Sequence, residues 1–110
     1  MLKEAKKALR VTVNNFDSEI AQLLLSGAKD LEIAGVVIPF GQGVSFTIGT
    51  NDAVTDTSTL TDPLVMRAII TYAAMRFGNP PNYDRLADAY ETQKVQLMHA
   101  GHYTIYGEET

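Results

Sequence analysis

Two histidines near the C-terminus are the residues best suited to chemistry, because imidazole binds metal ions and transfers protons near neutral pH. His99 and His102 lie three positions apart, a spacing that can bring both rings to one metal ion. Gly101 interrupts the helix that would hold this spacing, and the sequence places no third ligand beside the pair. The pattern favours structural or surface histidines over a metal site.

Other patterns that resemble catalytic motifs each lack an essential part. Asp84 and Asp88 share a helix face, but nothing apolar near them in sequence would keep either carboxyl group protonated to act as an acid. The run Gly41-Gln42-Gly43 begins like a dinucleotide fingerprint, but its third glycine would fall at Phe46 and no helix follows. The serines lie in no Gly-x-Ser-x-Gly motif. The sequence therefore predicts no enzyme activity, no metal and no cofactor.

The composition is that of one folded domain. The chain has 110 residues, of which 45% are hydrophobic and 20% are charged, enough for a single core although part of the apolar surface stays uncovered in a monomer. The absence of cysteine excludes disulfides and thiolate metal sites. The segment 1–10 lacks the continuous hydrophobic region of a secretion signal, so we expect the protein to start in the cytoplasm.

Basic residues concentrate in the first ten positions of a chain whose net charge is −4. They fall on a predicted short helix that buries Leu2, Ala5 and Leu9. We interpret them as a solvated basic face, with a nucleic-acid or membrane contact as the weaker alternative, since tight binding to duplex DNA normally needs a longer basic stripe. The residues of this face are Lys3, Lys6, Lys7 and Arg10.

Acidic residues dominate the middle of the chain, where no lysine or arginine occurs from Asp30 through Met66. A surface of this kind repels phosphates and would let DNA pass without adhering. Within it, Asp52 and Asp56 lie in a predicted loop and are candidates for contact with a channel lumen or a downstream partner.

The sequence predicts a mainly α fold, a small four-helix domain. The second helix is expected to be capped by Asn15 or Asp17 and to end near Gly35, since a side-chain oxygen at the cap accepts a free backbone N–H. The third is capped by Thr61 or Asp62 and begins at Pro63.

Nearly every position from Leu64 to Phe77 is apolar, so the third helix should be covered on most sides, although it is too short and too charged to cross a bilayer. The segment 78–82, with glycine and two prolines, ends it. The fourth helix then runs to about Gly101, with an apolar face at Tyr83, Leu86, Tyr90 and Leu97.

Two segments depart from the helical pattern. Residues 36–60 read as an inserted β-hairpin or extended loop, with strand-like runs at 36–38 and 44–48, and we interpret them as a contact surface. Residues 102–110 read as an extended C-terminal arm beyond a helical domain at 1–101. The β-prone part of this arm is predicted to bind a partner and consists of His102, Tyr103, Thr104, Ile105 and Tyr106.

The order of helix starts and apolar positions along the whole chain forms a recognisable pattern. It comprises the lysine-rich opening 2–9, the helix end Leu31-Glu32-Ile33-Ala34-Gly35, then Asp62-Pro63-Leu64-Val65 with Ala68-Ile69-Ile70 and Tyr72, and finally Tyr90, Leu97 and Tyr103. This pattern resembles the tailed-phage head-tail connector family, whose members are also called head completion or DNA packaging adaptor proteins.

The resemblance implies a structural virion protein in the neck of a tailed phage, assembled in the host cytoplasm. Such a protein forms a ring beneath the portal, twelve-fold to match it, connects the capsid to the tail and continues the DNA channel after packaging. The implied partners are further copies of the chain, the portal protein, a downstream stopper or tail protein, and genomic DNA that passes without sequence-specific binding. No membrane is involved.

Two alternatives stay open. The protein can be another neck component, such as a stopper or tail-completion protein, which differs by its partner. It can also be a small helical regulatory module that binds nucleic acid through the basic residues of the first helix, in which case its DNA affinity would depend strongly on salt.

Overall fold

The computed structural model describes residues 1–39, 41–78 and 80–99, except for the side chain of Asp52. These residues form four α-helices and one two-stranded antiparallel hairpin between the second and third helices, which confirms the predicted fold class. The predicted arm at 102–110 lies outside the described residues. The elements are α1 (Leu2–Leu9), α2 (Asp17–Ile33), β1 (Phe46–Ile48), β2 (Val54–Asp56), α3 (Pro63–Arg76) and α4 (Tyr83–His99).

Helix α3 is the centre of the fold, and α1, α2 and α4 all pack against it. Its start confirms the predicted cap, because one Asp62 carboxylate oxygen accepts the N–H groups of Leu64 (3.0 Å) and Val65 (3.1 Å). Pro63 occupies the first turn, where its missing N–H has no partner to lose. The helix buries six side chains among its neighbours, namely Val65, Ala68, Ile69, Tyr72, Ala73 and Met75.

Helix α2 lies close to α3 because Gly27 faces Tyr72. A Cβ at position 27 would lie 3.0 Å from the Tyr72 ring, so only glycine permits this approach without a shift. The C-terminal end of α2 is a Schellman motif, in which Gly35 has a positive φ of 97° and Val36 donates its N–H to Leu31.

The predicted cap of α2 at Asn15 or Asp17 is wrong. Phe16 occupies the cap position and makes no side-chain cap hydrogen bond. Its ring packs edge-to-face on Phe77, with 5.6 Å between the ring centroids, and the carboxylate of Asp17 pairs with Lys6 instead. Tertiary contacts therefore outweigh the local capping preference here.

Strand β1 falls within the predicted strand-like run 44–48, whereas its partner β2 lies outside both predicted runs. Phe46 pairs with Asp56, Thr47 with Thr55 and Ile48 with Val54, while residues 36–38 form no strand. Val36 is instead buried as the hydrophobic residue that follows the Schellman motif of α2. The strands are joined by a short 3₁₀ turn at Thr50–Asp52.

The Gly41-Gln42-Gly43 run has a structural role. The side-chain Oε1 of Gln42 accepts the N–H groups of Thr61 and Asp62, each at 2.9 Å, and the carbonyl of Gly43 accepts those of Thr59 and Leu60. These bonds fasten the inserted segment to the start of α3.

Candidate assembly surfaces

A groove of about 620 Å³ lies between α1 and β2, and we call it the α1–β2 groove. Apolar atoms of Leu2, Val11 and Val54 contribute to its lining. The structure also brings all four predicted basic residues to this one groove, namely Lys3, Lys6, Lys7 and Arg10. Asp17 and Asp56 also line the groove, each paired with a cation of the same chain, so the groove is partly apolar and has a net positive charge.

The end of α1 gives the groove its shape. Arg10 adopts a left-handed conformation (φ 59°, ψ 39°), which is unfavourable for a residue with a Cβ. In this conformation Arg10 donates its N–H to Lys7 (3.2 Å) and Val11 donates its N–H to Lys6 (2.9 Å). These two bonds close α1 and hold Val11 in the lining of the groove.

The four basic side chains are not equivalent. The Lys6 ammonium lies 2.8 Å from Asp17 Oδ1 and donates to Asn14 Oδ1 at 2.9 Å, and its side chain is only 16% exposed. Lys6 is therefore partly buried and its charge is paired within the chain. Lys3, Lys7 and Arg10 are exposed and carry the positive charge of the groove.

Asp56 fastens β2 to α1. Its Oδ2 accepts the Leu2 N–H at 2.8 Å and lies 2.8 Å from the Met1 ammonium, while its Oδ1 accepts the Ser58 N–H at 3.0 Å. Burial tends to raise the pKa of Asp56, but these hydrogen bonds outweigh burial and hold its pKa well below the usual range.

The charge of Asp56 is thus used within the fold, although the sequence suggested that it faces a lumen or partner. Asp52, the other acidic candidate, lies in the 3₁₀ turn, and its side chain is outside the described part of the chain.

A polar contact joins α2 to α4, and both of these helices pack on α3. The Tyr90 hydroxyl donates to Asp30 Oδ2 at 2.5 Å, and the Lys94 ammonium lies 3.5 Å from the same oxygen and 3.2 Å from Glu91. Burial and the Asp30 carboxylate raise the pKa of Tyr90. Burial tends to lower the pKa of Lys94, but Glu91 and Asp30 reverse this effect and raise it.

The outward side of α4 carries a surface that the sequence reasoning missed. Its members are exposed and recur at intervals of four, three, four and three residues, which places them on one face of the helix. Val95 is 46% exposed and Met98 is 38% exposed. The sequence signal for this surface was a second set of residues spaced four and three apart, on a face of α4 other than the buried one. We call this surface the outer α4 stripe, and it consists of Asp84, Asp88, Glu91, Val95 and Met98.

The remaining chemical candidates are not assembled into a site in the described residues. Asp84 and Asp88 are exposed, and so is His99 at the last position of α4. No three histidine, aspartate or glutamate side chains lie close enough together within residues 1–39, 41–78 and 80–99 to hold a metal ion. The predicted arm residues 102–106, which include His102, lie outside the described residues. Tyr83, predicted to lie on the core face of α4, is 47% exposed.

None of the described helices combines the length and apolar character needed to span a bilayer.

The family model described as phage connector protein matches residues 1–104. The match covers all four helices, the hairpin and the first residues of the predicted arm. Comparisons with curated protein sequences and with solved structures gave no match.

Proposed function

Because the chain belongs to the phage connector protein family, we propose that it is a structural component of the phage neck that forms a ring beneath the portal and connects the capsid to the tail. The family is one of structural proteins and implies a component of the virion. The observation that carries the proposal is the extent of the match, 104 residues of a chain of 110.

The proposed partners follow from this placement. Copies of the chain form the ring, twelve-fold to match the portal, and the ring continues the DNA channel toward a downstream stopper or tail protein. The acidic balance of the chain, with a net charge of −4, supports passage of DNA without adhesion. This is head completion after DNA packaging, and it requires positioning rather than catalysis.

We further propose that residues 102–106 bind the portal. Their aromatic and β-prone composition suits an extended segment that adds to a sheet edge or fills a pocket on another protein. The family match continues to residue 104, which supports a role for the first part of this segment.

The experiment is co-expression of the chain with the portal protein of the same phage, followed by affinity capture of the portal. A chain lacking residues 102–110 is expected to lose portal binding while keeping the circular-dichroism spectrum of the full chain. A chain lacking only residues 107–110 serves as the matched control and should still bind. Equal capture of both truncated chains would refute the role of residues 102–106.

A second arm of the experiment tests the neck assignment itself. Phage particles made without this protein should contain DNA-filled heads that lack tails, and supplying the protein should restore tail attachment. Capture by a tail protein in place of the portal would assign the chain to the stopper or tail-completion position. Particles that assemble and infect normally without the protein would overturn the neck assignment.

A further inference from the structure

We propose that copies of this chain associate head-to-tail, with the outer α4 stripe of one copy seated in the α1–β2 groove of the next. The inference rests on the proposed function for ring closure, and it names the two surfaces that make the contact. It commits to a second copy of the chain as the occupant of the groove.

The first argument is complementary charge at matching intervals. Lys3, Lys7 and Arg10 line the groove at intervals of four and three residues. The carboxylates of the outer α4 stripe, Asp84, Asp88 and Glu91, recur at the same two intervals. Two helices laid side by side in parallel therefore bring Lys3 and Lys7 opposite Asp84 and Asp88 in register. Arg10, which follows the end of α1, adds a third cation on the side toward Glu91.

Apolar character provides the second argument and distinguishes a protein partner from a nucleic acid. Beyond its carboxylates the stripe continues to Val95 and Met98, both exposed. Beyond its cations the groove continues to Val11, and Val54 of β2 lines it from the other side. A phosphate backbone would leave these apolar groups without a complement, whereas the α4 stripe would cover them.

The third argument is the position of the two surfaces in the fold. Helix α1 packs on α2 and α3, and α4 packs on α3, while α1 and α4 form no such packed pair in the described part of the chain. One copy therefore does not cover its own groove. A contact between two different surfaces of identical chains is heterologous, and it produces a ring where the rotation between copies closes.

The charges on both sides are available for such a contact. Lys3, Lys7 and Arg10 are exposed, in contrast to Lys6, which Asp17 neutralises at 2.8 Å. Glu91 also lies 3.2 Å from Lys94, but its side chain is 62% exposed and leaves an accessible carboxylate edge.

Cysteine cross-linking tests the contact directly, because the natural chain contains no cysteine. A Lys7→Cys, Asp88→Cys chain treated with a short thiol-specific cross-linker should form a ladder of covalent multimers, both in concentrated solution and when bound to the portal. A Lys7→Cys, Glu32→Cys chain is the control, since Glu32 is exposed on α2 outside both surfaces. A ladder no longer than that of the control, in both settings, overturns the proposal.

Charge exchange gives a second measurement that does not depend on cross-linking. The groove variant Lys7→Glu, Arg10→Glu and the stripe variant Asp84→Lys, Asp88→Lys should each weaken self-association at least about tenfold in sedimentation velocity. An equimolar mixture of the two variants should restore it, because every contact between unlike copies is again complementary. Failure of the mixture to associate overturns the proposal, as does loss of duplex-DNA binding by the groove variant with unchanged self-association.

The outcomes separate this inference from the proposed function. A protein that is present in phage necks but gives no cross-link between positions 7 and 88 retains its function and loses the proposed contact. A protein that cross-links between these positions but is absent from particles retains the contact and loses the proposed function.

Discussion

Helices α4 and α1 are held against α3 by different kinds of interaction. On the α4 side, Tyr90 and Leu97 are almost fully buried, with 2% and 3% exposure, and Asp30 adds a polar contact from α2. The α1 side buries little more than Leu2 and Ala5 of its helix, and it depends on one carboxylate, Asp56, that binds the start of α1. Burial dominates the first side and charge the second.

This difference matters for assembly because the α1 side carries the groove and the α4 side carries the stripe. A surface built on a weakly buried helix is more easily altered than one on a strongly buried helix. We therefore expect changes in solution conditions to affect the groove before they affect the stripe.

The largest expected effect is on the α4 side. Replacing Tyr90 with alanine removes its ring from Tyr72, 5.3 Å away between centroids, and deprives Asp30 of a hydrogen-bond donor. We expect the free energy of unfolding to fall by about 3–5 kcal/mol, measured by urea denaturation. Tyr83→Ala is the control on the same helix, and because Tyr83 is 47% exposed its effect should be much smaller. Similar losses in both variants would contradict the burial argument.

The next largest effect is on the α1 side. Asp56→Ala removes the acceptor of the Leu2 and Ser58 N–H groups and the partner of the Met1 ammonium. We expect a loss of about 1–3 kcal/mol in the free energy of unfolding, together with faster amide hydrogen exchange confined to α1. Thr55→Ala, an exposed neighbour on the same strand, should change the free energy by less than about 0.5 kcal/mol. An unchanged rate of amide hydrogen exchange in α1 would show that Asp56 does not hold α1 in place.

Asp56 and Lys94 should lose their contributions to stability at opposite ends of the pH scale. The pKa of Asp56 is lower in the folded protein than in the unfolded chain, so its contribution is complete above the ordinary carboxyl pKa of about 4 and is lost as pH falls below it. The pKa of Lys94 is raised by folding, so its contribution is complete below the ordinary pKa of 10.5 and is lost as pH rises above it.

Urea denaturation across pH tests this assignment. Between about pH 5 and pH 3, the midpoint should fall less in Asp56→Ala than in the natural protein. Between about pH 9.5 and pH 11, the urea midpoint should fall less in Lys94→Gln than in the natural protein. The assignment would be contradicted if the urea midpoint of Asp56→Ala fell as much as that of the natural protein between about pH 5 and pH 3. It would also be contradicted if the midpoint of Lys94→Gln fell as much as that of the natural protein between about pH 9.5 and pH 11.

Local chemistry made the helices predictable. The Asp62-Pro63 start of α3 and the glycine at position 78, with its positive φ of 66°, act within a few residues and need no distant contact. The strand register was not predictable in this way. The run 36–38 has strand-like composition, but Val36 is needed to complete the end of α2. Strand β2 is held by the hydrogen bond that the Leu2 N–H donates to Asp56, 54 positions away.

The candidate surfaces show the same limit. The sequence identified Lys3, Lys6, Lys7 and Arg10 as a group because they lie on one predicted short helix. It did not reveal that Val54 of β2 lines the same groove, or that Lys6 turns toward Asp17, since both depend on how distant segments pack. Exposure of Val95 likewise becomes visible only when the core face of α4 is known.

The smallest predicted effect separates stability from assembly at a single position. Arg10→Gly relieves the left-handed conformation at the end of α1 and should raise the free energy of unfolding by about 1 kcal/mol. The same change removes a cation from the groove and should weaken self-association. Arg10→Ala removes the cation but keeps the unfavourable conformation, so it should weaken association without the gain in stability. Equal urea midpoints for the glycine and alanine variants would mean that the end of α1 stores no strain, and the weaker hold on the α1 side would then come from its limited burial alone.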